Sequence, residues 1–277
     1  MATFEAQVHA LTNIGATLSG STTPTDSELD QFLKDGVIDV TEKCIAAMPG
    51  EIQSFQRVSS TQSSNNSFFV NGAKILSVLR EANADGSSDG STAWRPCRQV
   101  PVALESRVVD STSLEFASKF NPVYIIGDNN AVNVYPVPDG SDDGFKVYYV
   151  NNIPVNKSGA DLVHSHSDIG YFDDNKVYLV VIYAAIKCIE VKMADMHDSI
   201  PSYSSSTDSD DWKFIKTAIE TEEDLELAAT RAQTLSGEMQ QFLAEYQWYQ
   251  GRAQSLKQEY MMAFNINTPE PQTERRR

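Results

Sequence analysis

The sequence predicts an α+β fold: a helical bundle with one long C-terminal helix, an inserted antiparallel β-rich subdomain and an extended C-terminal tail. Apolar residues recur at helical spacing towards both ends of the chain, whereas short β-prone runs fill its middle. Two prolines stop the last helix before the tail. The predicted divisions are an N-terminal segment and linker at 1–24, the helical bundle at 25–50 and 173–265, the β-rich insertion at 51–172 and the tail at 266–277.

The long helix is predicted from a seam of apolar residues that are alternately three and four positions apart. This heptad pattern persists for five repeats, and neither a strand nor a loop would produce it. At ~1.5 Å per residue the helix is roughly 55 Å long, more than one domain needs for its own core. We therefore expect it to contact another chain or a neighbouring element. The seam comprises Leu225, Ala228, Ala232, Leu235, Met239, Phe242, Tyr246, Tyr249, Ala253, Leu256 and Tyr260, and its candidate oligomer or bundle contacts are Leu235, Met239, Phe242, Tyr246 and Tyr249.

Shorter helices precede the long one. Residues 3–14 have one apolar face, and Thr25 with Glu28 forms a capping box that opens a helix ending before Pro49. Another helix, apolar on more than one side, begins at Asp173 or Asn175.

The middle of the chain is typical of an antiparallel meander. A tight turn between two strands is predicted at Gly127–Asn130. We also expect a single helical turn at Ser113–Lys119 and a loop tip at Asn83–Ser91. The predicted strands are Ile75–Arg80, Arg98–Leu104, Val123–Ile126, Val132–Val137 and Phe145–Val150.

The chain is strongly acidic, with a formal net charge of −16 and a pI near 4.6. Such a surface repels DNA and anionic lipid, which argues against sequence-specific DNA binding. Eight carboxylates lie between Asp208 and Glu226, a density typical of a solvated helix start.

The longest apolar run, Val177–Ile186, is too short to span a membrane, and the first residues do not resemble a signal peptide. Three widely spaced cysteines indicate neither a disulfide framework nor a metal site, and favour a reducing compartment.

Few residues suggest chemistry. His164, His166 and Asp168 would share one face of a strand and could begin a metal site. No fourth ligand follows nearby, and the surrounding Ser, Gly and Asp residues favour a polar connector instead. Cys97 has no neighbouring base, and the paired carboxylates of the chain are typical of turns. We therefore assign no catalytic, cofactor-binding or metal-ligating residue.

The basic end of the chain is the second candidate site. Arg275, Arg276 and Arg277 follow a proline-containing segment on an otherwise acidic protein. Two interpretations stay open: a disordered terminus, or a docking tail that binds an acidic groove on a partner.

Several segments of the chain resemble virion proteins of tailed phages, in particular those of marine and cyanobacterial phages. The likeness covers most of residues 2–196 and is one of whole segments, not of a catalytic motif. It is carried by ATFEAQVHALT at 2–12, ELDQFLKDGVIDVTEK at 28–43, SKFNPVYIIGDNNAVNVYPVP at 118–138, FKVYYVNNIPVNKSGADLVHSHSDI at 145–169 and DDNKVYLVVIYAAIKCIEVKM at 173–193.

The order of elements is also similar to that of head-to-tail adaptor proteins. That resemblance implies a non-enzymatic neck protein of the virion, assembled in the host cytoplasm as a twelvefold ring beneath the portal. Its partners would be further copies of itself, the portal protein and downstream neck or tail proteins, with DNA passing through without specific binding and with no cofactor or membrane. A tail or baseplate component is the alternative, and a metal-dependent hydrolase using His164, His166 and Asp168 is a third.

Overall fold

The structure is a computed structural model that confirms the α+β fold class. The residues that it describes are 2–14, 18–82, 93–138, 143–198, 215–219 and 225–264. The chain divides into two compact units. Unit 1 consists of Met1–Val40, Leu162–Ser167 and Lys176–Arg277, and unit 2 of Thr41–Asp161 and Asp168–Asn175.

The insertion predicted at 51–172 falls within unit 2 except for Leu162–Ser167, and unit 2 also includes residues 41–50 and 173–175. The helices of the two units are α1 (Phe4–Thr12), α2 (Asp26–Ala47), α3 (Glu105–Val109), α4 (Val177–Asp198) and α5 (Leu225–Ala263). The strands are β1 (Gln56–Val58), β2 (Ser67–Phe69), β3 (Ile75–Ala82), β4 (Ala93–Pro96), β5 (Arg98–Gln99), β6 (Val123–Ile126), β7 (Ala131–Tyr135) and β8 (Phe145–Val150).

The capping box predicted at the start of α2 is confirmed. The Thr25 backbone N–H donates to Glu28 Oε2 at 2.8 Å, and the Glu28 N–H donates to Thr25 Oγ1 at 3.2 Å. The two bonds satisfy backbone donors that the first helical turn leaves without partners.

Unit 1 is built around α4, whose apolar residues are buried on more than one side, as the sequence predicts. Helices α1 and α5 both pack on α4. Helix α2 approaches it closely at Gly36, where a Cβ would lie 3.1 Å from Tyr183 Cδ1 and 3.3 Å from Val180 Cγ1. A side chain at position 36 would therefore crowd α4.

Unit 2 contains two four-stranded sheets, with strand orders β1-β8-β3-β4 and β2-β7-β6-β5. The predicted meander is wrong in two respects: β8 inserts between β1 and β3, and β5 pairs with β6 in parallel. The hairpin of β6 and β7 across Gly127–Asn130 is confirmed.

Individual strand predictions differ in their outcome. Phe145–Val150 and Val123–Ile126 are confirmed at both ends, whereas the strand predicted at Arg98–Leu104 is wrong beyond Gln99. Pro101 offers no backbone N–H for a sheet ladder and begins a 3-10 turn instead. The predicted helical turn at Ser113–Lys119 is also wrong. The connection from β5 to β6 has its α-helical turn earlier, at α3. The predicted loop tip Asn83–Ser91 lies outside the described residues.

The charged group at the centre of unit 2 is Arg80, whose side chain is fully buried. Its Nη2 lies 2.7 Å from Asp143 Oδ2, and its Nε donates to the Pro136 carbonyl at 2.9 Å. Lys119 Nζ lies 3.4 Å from the same carboxylate oxygen. Burial alone would raise the pKa of Asp143, but the hydrogen bond and charge of Arg80, with those of Lys119, outweigh it and lower that pKa below its ordinary value.

We expect Asp143→Asn to lower the free energy of unfolding by about 3–5 kcal/mol at neutral pH, because Arg80 would keep a buried charge without a counterion. Since the folded-state pKa of Asp143 is depressed, its contribution is present above about pH 4 and is lost as the pH falls further. Urea unfolding across this range measures both effects. Asp174→Asn is the matched control, because it breaks only the exposed pair with Lys157 and should cost less than about 1 kcal/mol. Equal losses in the two variants would contradict the prediction.

Candidate functional site

The C-terminal half of α5 packs antiparallel against α4. The Tyr260 and Tyr183 rings lie 6.1 Å apart, and Lys257 Nζ lies 2.8 Å from Glu190 Oε1. Further towards the α4 C-terminus, Tyr246 lines a groove together with Met193 and His197 of α4. Successive contacts on the two helices therefore run in opposite directions.

This antiparallel pairing leaves part of α5 without α4 beside it. Helix α4 has 22 residues and α5 has 39, so their lengths are roughly 33 Å and 58 Å at ~1.5 Å per residue. Because Tyr246 already lies near the end of α4, the residues from Leu225 to about Glu245 extend past it. The predicted long helix is confirmed over Leu225–Ala263, and its first half projects beyond its main helical partner.

Polar contacts hold the C-terminal half of α5 in place. Glu190 on α4 accepts from both Lys187 and Lys257. Burial alone would raise the pKa of Glu190, but the hydrogen bonds from Lys257 and Lys187 outweigh it and lower that pKa. The Tyr260 hydroxyl donates to Asp39 on α2, and Arg252 Nε donates to the Leu11 carbonyl at 2.8 Å. These contacts tie α5 to three other elements of unit 1.

The seam residues differ in burial along the helix. Leu235 and Tyr249 are each 6% exposed, as expected of positions that face a packed neighbour. Met239, Phe242 and Tyr246 are half-buried, and Leu225 is 69% exposed. From Tyr249 onwards every seam residue is buried, namely Tyr249, Ala253, Leu256 and Tyr260, whereas before it only Ala228 and Leu235 are.

Exposed apolar residues also lie off the predicted seam, and the sequence analysis missed them. Leu227, Leu243 and Trp248 are 40% to 51% exposed on α5. The signal was available in the sequence, because large apolar side chains at positions outside an a/d pattern have no place in a simple two-sided packing. The exposed surface of α5 is thus richer in apolar side chains than the heptad pattern alone predicts.

A groove of about 480 Å³ lies between α4 and α5. Its lining includes the predicted seam residue Tyr246, together with Glu190, Met193, Ala194 and His197. Because the lining combines aromatic and thioether surface with a carboxylate, the groove suits a side chain of a protein partner better than a phosphate.

The three residues considered for a metal site have other partners. His164 Nδ1 lies 2.9 Å from Asp30 Oδ1, and the His166 ring accepts from the Val163 N–H at 3.3 Å. Asp168 accepts from the Lys157 backbone N–H at 3.0 Å. Within the described part of the chain, no group of three or more His, Cys, Asp and Glu side chains is arranged to hold a metal ion.

The segment that carries His164 and His166 has a structural role. The N–H of Phe4 donates to the His166 carbonyl at 2.8 Å, and the N–H of Glu5 donates to the His164 carbonyl at 3.1 Å. The segment therefore receives the N-terminus of α1. The thiol of Cys97, by contrast, is chemically quiet, because burial raises its pKa to about 12.

The proposed docking residues Arg275, Arg276 and Arg277 lie outside the described residues, as does most of the acidic stretch from Asp208 to Glu226.

Comparisons with protein-family models and with curated proteins find no match to this chain. Among the described helices, none combines the length and apolar character that crossing a membrane requires. The candidate site is therefore interpreted from its own residues: an α5 surface suited to protein contacts.

We expect Leu235→Asp to destabilise the first half of α5, because it buries a carboxylate without a partner at a cost of about 3 kcal/mol. Hydrogen exchange of the amides in residues 225–245 measures the effect locally. Leu243→Asp makes the same chemical change at a site that is 51% exposed and should leave exchange nearly unchanged. Faster exchange in both variants, or in neither, would show that Leu235 does not hold this part of the helix.

Proposed function

We propose that this chain is a structural virion protein of a tailed phage, a head-to-tail adaptor or neck-ring component without enzymatic activity. In this proposal it assembles with copies of itself into a twelvefold ring between capsid and tail. The ring joins the portal protein to the downstream neck or tail proteins and lines the channel through which DNA passes.

The observation that carries the proposal is the projection of α5 beyond α4. A helix end of this length, with Leu225 and Leu227 exposed and Phe242 half-buried, offers apolar surface to a neighbouring chain. Lateral contacts between helices are an economical way to build a closed ring from one chain.

The charge of the chain supports the channel role. Copies with a net charge of −16 present an acidic wall, and a wall of the same sign as the DNA backbone does not retain the duplex. The three residues of the hydrolase alternative have protein partners: His164 lies beside Asp30, and His166 and Asp168 accept backbone N–H bonds. Stoichiometric zinc or manganese in the purified protein, lost in His166→Ala, would overturn the structural role.

Location in the particle tests the proposal directly. Cryo-electron microscopy of a virion that carries this chain should place its density in a ring directly beneath the portal. Density in the baseplate or along the tail tube would reject the adaptor role in favour of the tail-component alternative. A chain missing from the purified virion would reject both.

We expect removal of residues 266–277 to leave the fold intact and to weaken portal binding. The three terminal arginines can pair with carboxylates in a two-pronged geometry that lysine cannot reproduce. The loss should be greatest at low salt, where ion pairs are least screened. Binding of purified portal at two salt concentrations measures it, and circular dichroism checks the fold.

The variant with lysine at all three of these positions is the matched control, since it keeps the charge and changes only the geometry. It should bind portal with intermediate affinity. If the truncated chain binds portal as tightly as the full chain at both salt concentrations, the docking-tail hypothesis is wrong.

A further inference from the structure

Arg57 on β1 has no carboxylate partner among the described residues, although the chain carries a net charge of −16. Its Nη1 donates to Asn151 Oδ1 at 3.3 Å, and its guanidinium lies 5.0 Å from the centroid of the Tyr171 ring. A guanidinium has five N–H donors. Within the described part of the chain, most of the donors of Arg57 therefore have no protein acceptor.

Two tyrosine hydroxyls lie beside this guanidinium. Tyr149 on β8 is directly opposite Arg57 in the strand register, so the two side chains share a face of the sheet. Burial raises the pKa of the Tyr149 phenol, the charge of Arg57 lowers it and Tyr171 raises it, which places the hydroxyl near both groups. Neither phenol forms a hydrogen bond with another described residue. We call Arg57, Tyr149 and Tyr171 the arginine–tyrosine cluster, and all three belong to unit 2.

The backbone holds Tyr171 in an unusual conformation. Its φ is +54°, in the left-handed region that a bulky side chain rarely adopts. Gly170 precedes it, at a site where a Cβ would lie 2.5 Å from the Asn156 carbonyl oxygen. Phe172 follows it, buried and 5.3 Å from the Phe55 ring. Strain that the surrounding structure maintains in this way is typical of ligand-binding sites.

Three aspartates lie close to this segment in sequence, and each has another partner. Asp168 accepts from the Lys157 backbone N–H at 3.0 Å, and Asp174 lies 2.8 Å from the Lys157 amine. Asp173 accepts from the Asn175 N–H at 3.0 Å. These carboxylates therefore leave the guanidinium of the cluster to an external acceptor.

We propose that the arginine–tyrosine cluster binds the phosphate group of a small ligand. Guanidinium groups bind phosphate through paired, charge-assisted hydrogen bonds, and each phenol can donate one more. A phosphate group offers three terminal oxygens to the three donor side chains, which come from β1, β8 and the segment at 168–175, whereas a carboxylate offers only two. This site goes beyond the proposed function and does not depend on it.

The charge of the chain favours a small ligand over a nucleic acid. Affinity for a duplex comes from many phosphate contacts, and one guanidinium cannot replace them on a chain with a net charge of −16. A single phosphate group meets less long-range repulsion. Because Arg57 is half-buried, its attraction for that group is also less screened by salt than that of an exposed cation.

Titration of inorganic phosphate into the full-length protein tests the site, with isothermal calorimetry at low ionic strength as the measurement. We expect one phosphate per chain, and an affinity at least about tenfold lower in Arg57→Gln. Tyr149→Phe and Tyr171→Phe should each weaken binding several-fold. Because neither hydroxyl bonds to another described residue, these two variants should keep the melting temperature and carry the test even if Arg57→Gln does not fold.

Arg95→Gln is the matched control. The Arg95 guanidinium also lies over a ring, 5.1 Å from the Phe120 centroid, and also has no carboxylate partner among the described residues, but phenylalanine supplies no hydroxyl. This variant should bind phosphate as the wild-type protein does. An equal loss in Arg95→Gln and Arg57→Gln would show that arginine charge alone attracts the anion and would overturn the inference. Acetate that binds as tightly as phosphate would overturn the assignment to phosphate.

The outcomes also separate this site from the proposed function. Wild-type protein that binds no phosphate up to ~10 mM overturns the site and leaves the virion role intact, because location in the particle is measured independently. Phosphate binding by a chain that is missing from the virion supports the site and rejects the virion role. Binding of a labelled DNA duplex that is lost in Arg57→Gln, without binding of free phosphate, would overturn the small-ligand assignment.

Discussion

The packing of α5 along α4 is the interaction on which unit 1 depends. Helix α4 is apolar on more than one side, and it receives α1, α2 at Gly36, and α5. Because α4 is shorter than α5, any register that buries Tyr249 and Tyr260 must leave the start of α5 beyond its partner. The projecting end is thus a consequence of how the core is filled and not a separate feature. Because the C-terminal half of α5 is anchored, the projecting half would lose little conformational entropy on binding another protein, and this favours association.

Unit 2 depends on a different kind of interaction. Its sheets hold a buried arginine, and the cost of removing Arg80 from water is offset by Asp143, by the Pro136 carbonyl and by the Glu81 carbonyl at 2.8 Å. Asp143 and Pro136 lie far from Arg80 in sequence, so these bonds also hold distant parts of the chain together. Lys119 binds the same carboxylate from the connection that carries Leu114 and Phe120. The buried pair and this exposed connection are therefore linked through one aspartate.

Local signals in the sequence predicted local structure well. Three local features are confirmed, and each has a short-range physical cause: the capping box of Thr25 and Glu28, the turn at Gly127–Asn130 and the strand Phe145–Val150.

The predicted sheet order was wrong because the placement of β8 between β1 and β3 depends on contacts between residues far apart in sequence, which periodicity does not encode. Three strands, β1, β2 and β4, were missed because each has only three or four residues and none shows a clear alternation. The heptad seam predicted the long helix, but it could not show that Leu235 is buried while Leu225 is exposed. Sequence periodicity does not show which turns of a long helix the rest of the fold covers.

The same distinction explains why the candidate site was only partly foreseen. The seam was visible because it repeats, whereas the cluster of Arg57, Tyr149 and Tyr171 consists of residues that approach one another only after β1, β8 and the segment at 168–175 have folded. Within the described chain no group of three or more His, Cys, Asp and Glu side chains could hold a metal ion, and burial raises the pKa values of the Cys97 and Cys188 thiols to about 12. What the described residues offer instead is apolar surface next to charge of either sign. On a chain with a net charge of −16, most of the surface of one copy repels another, so contact with a further acidic chain is favoured only where apolar side chains and opposite charges meet.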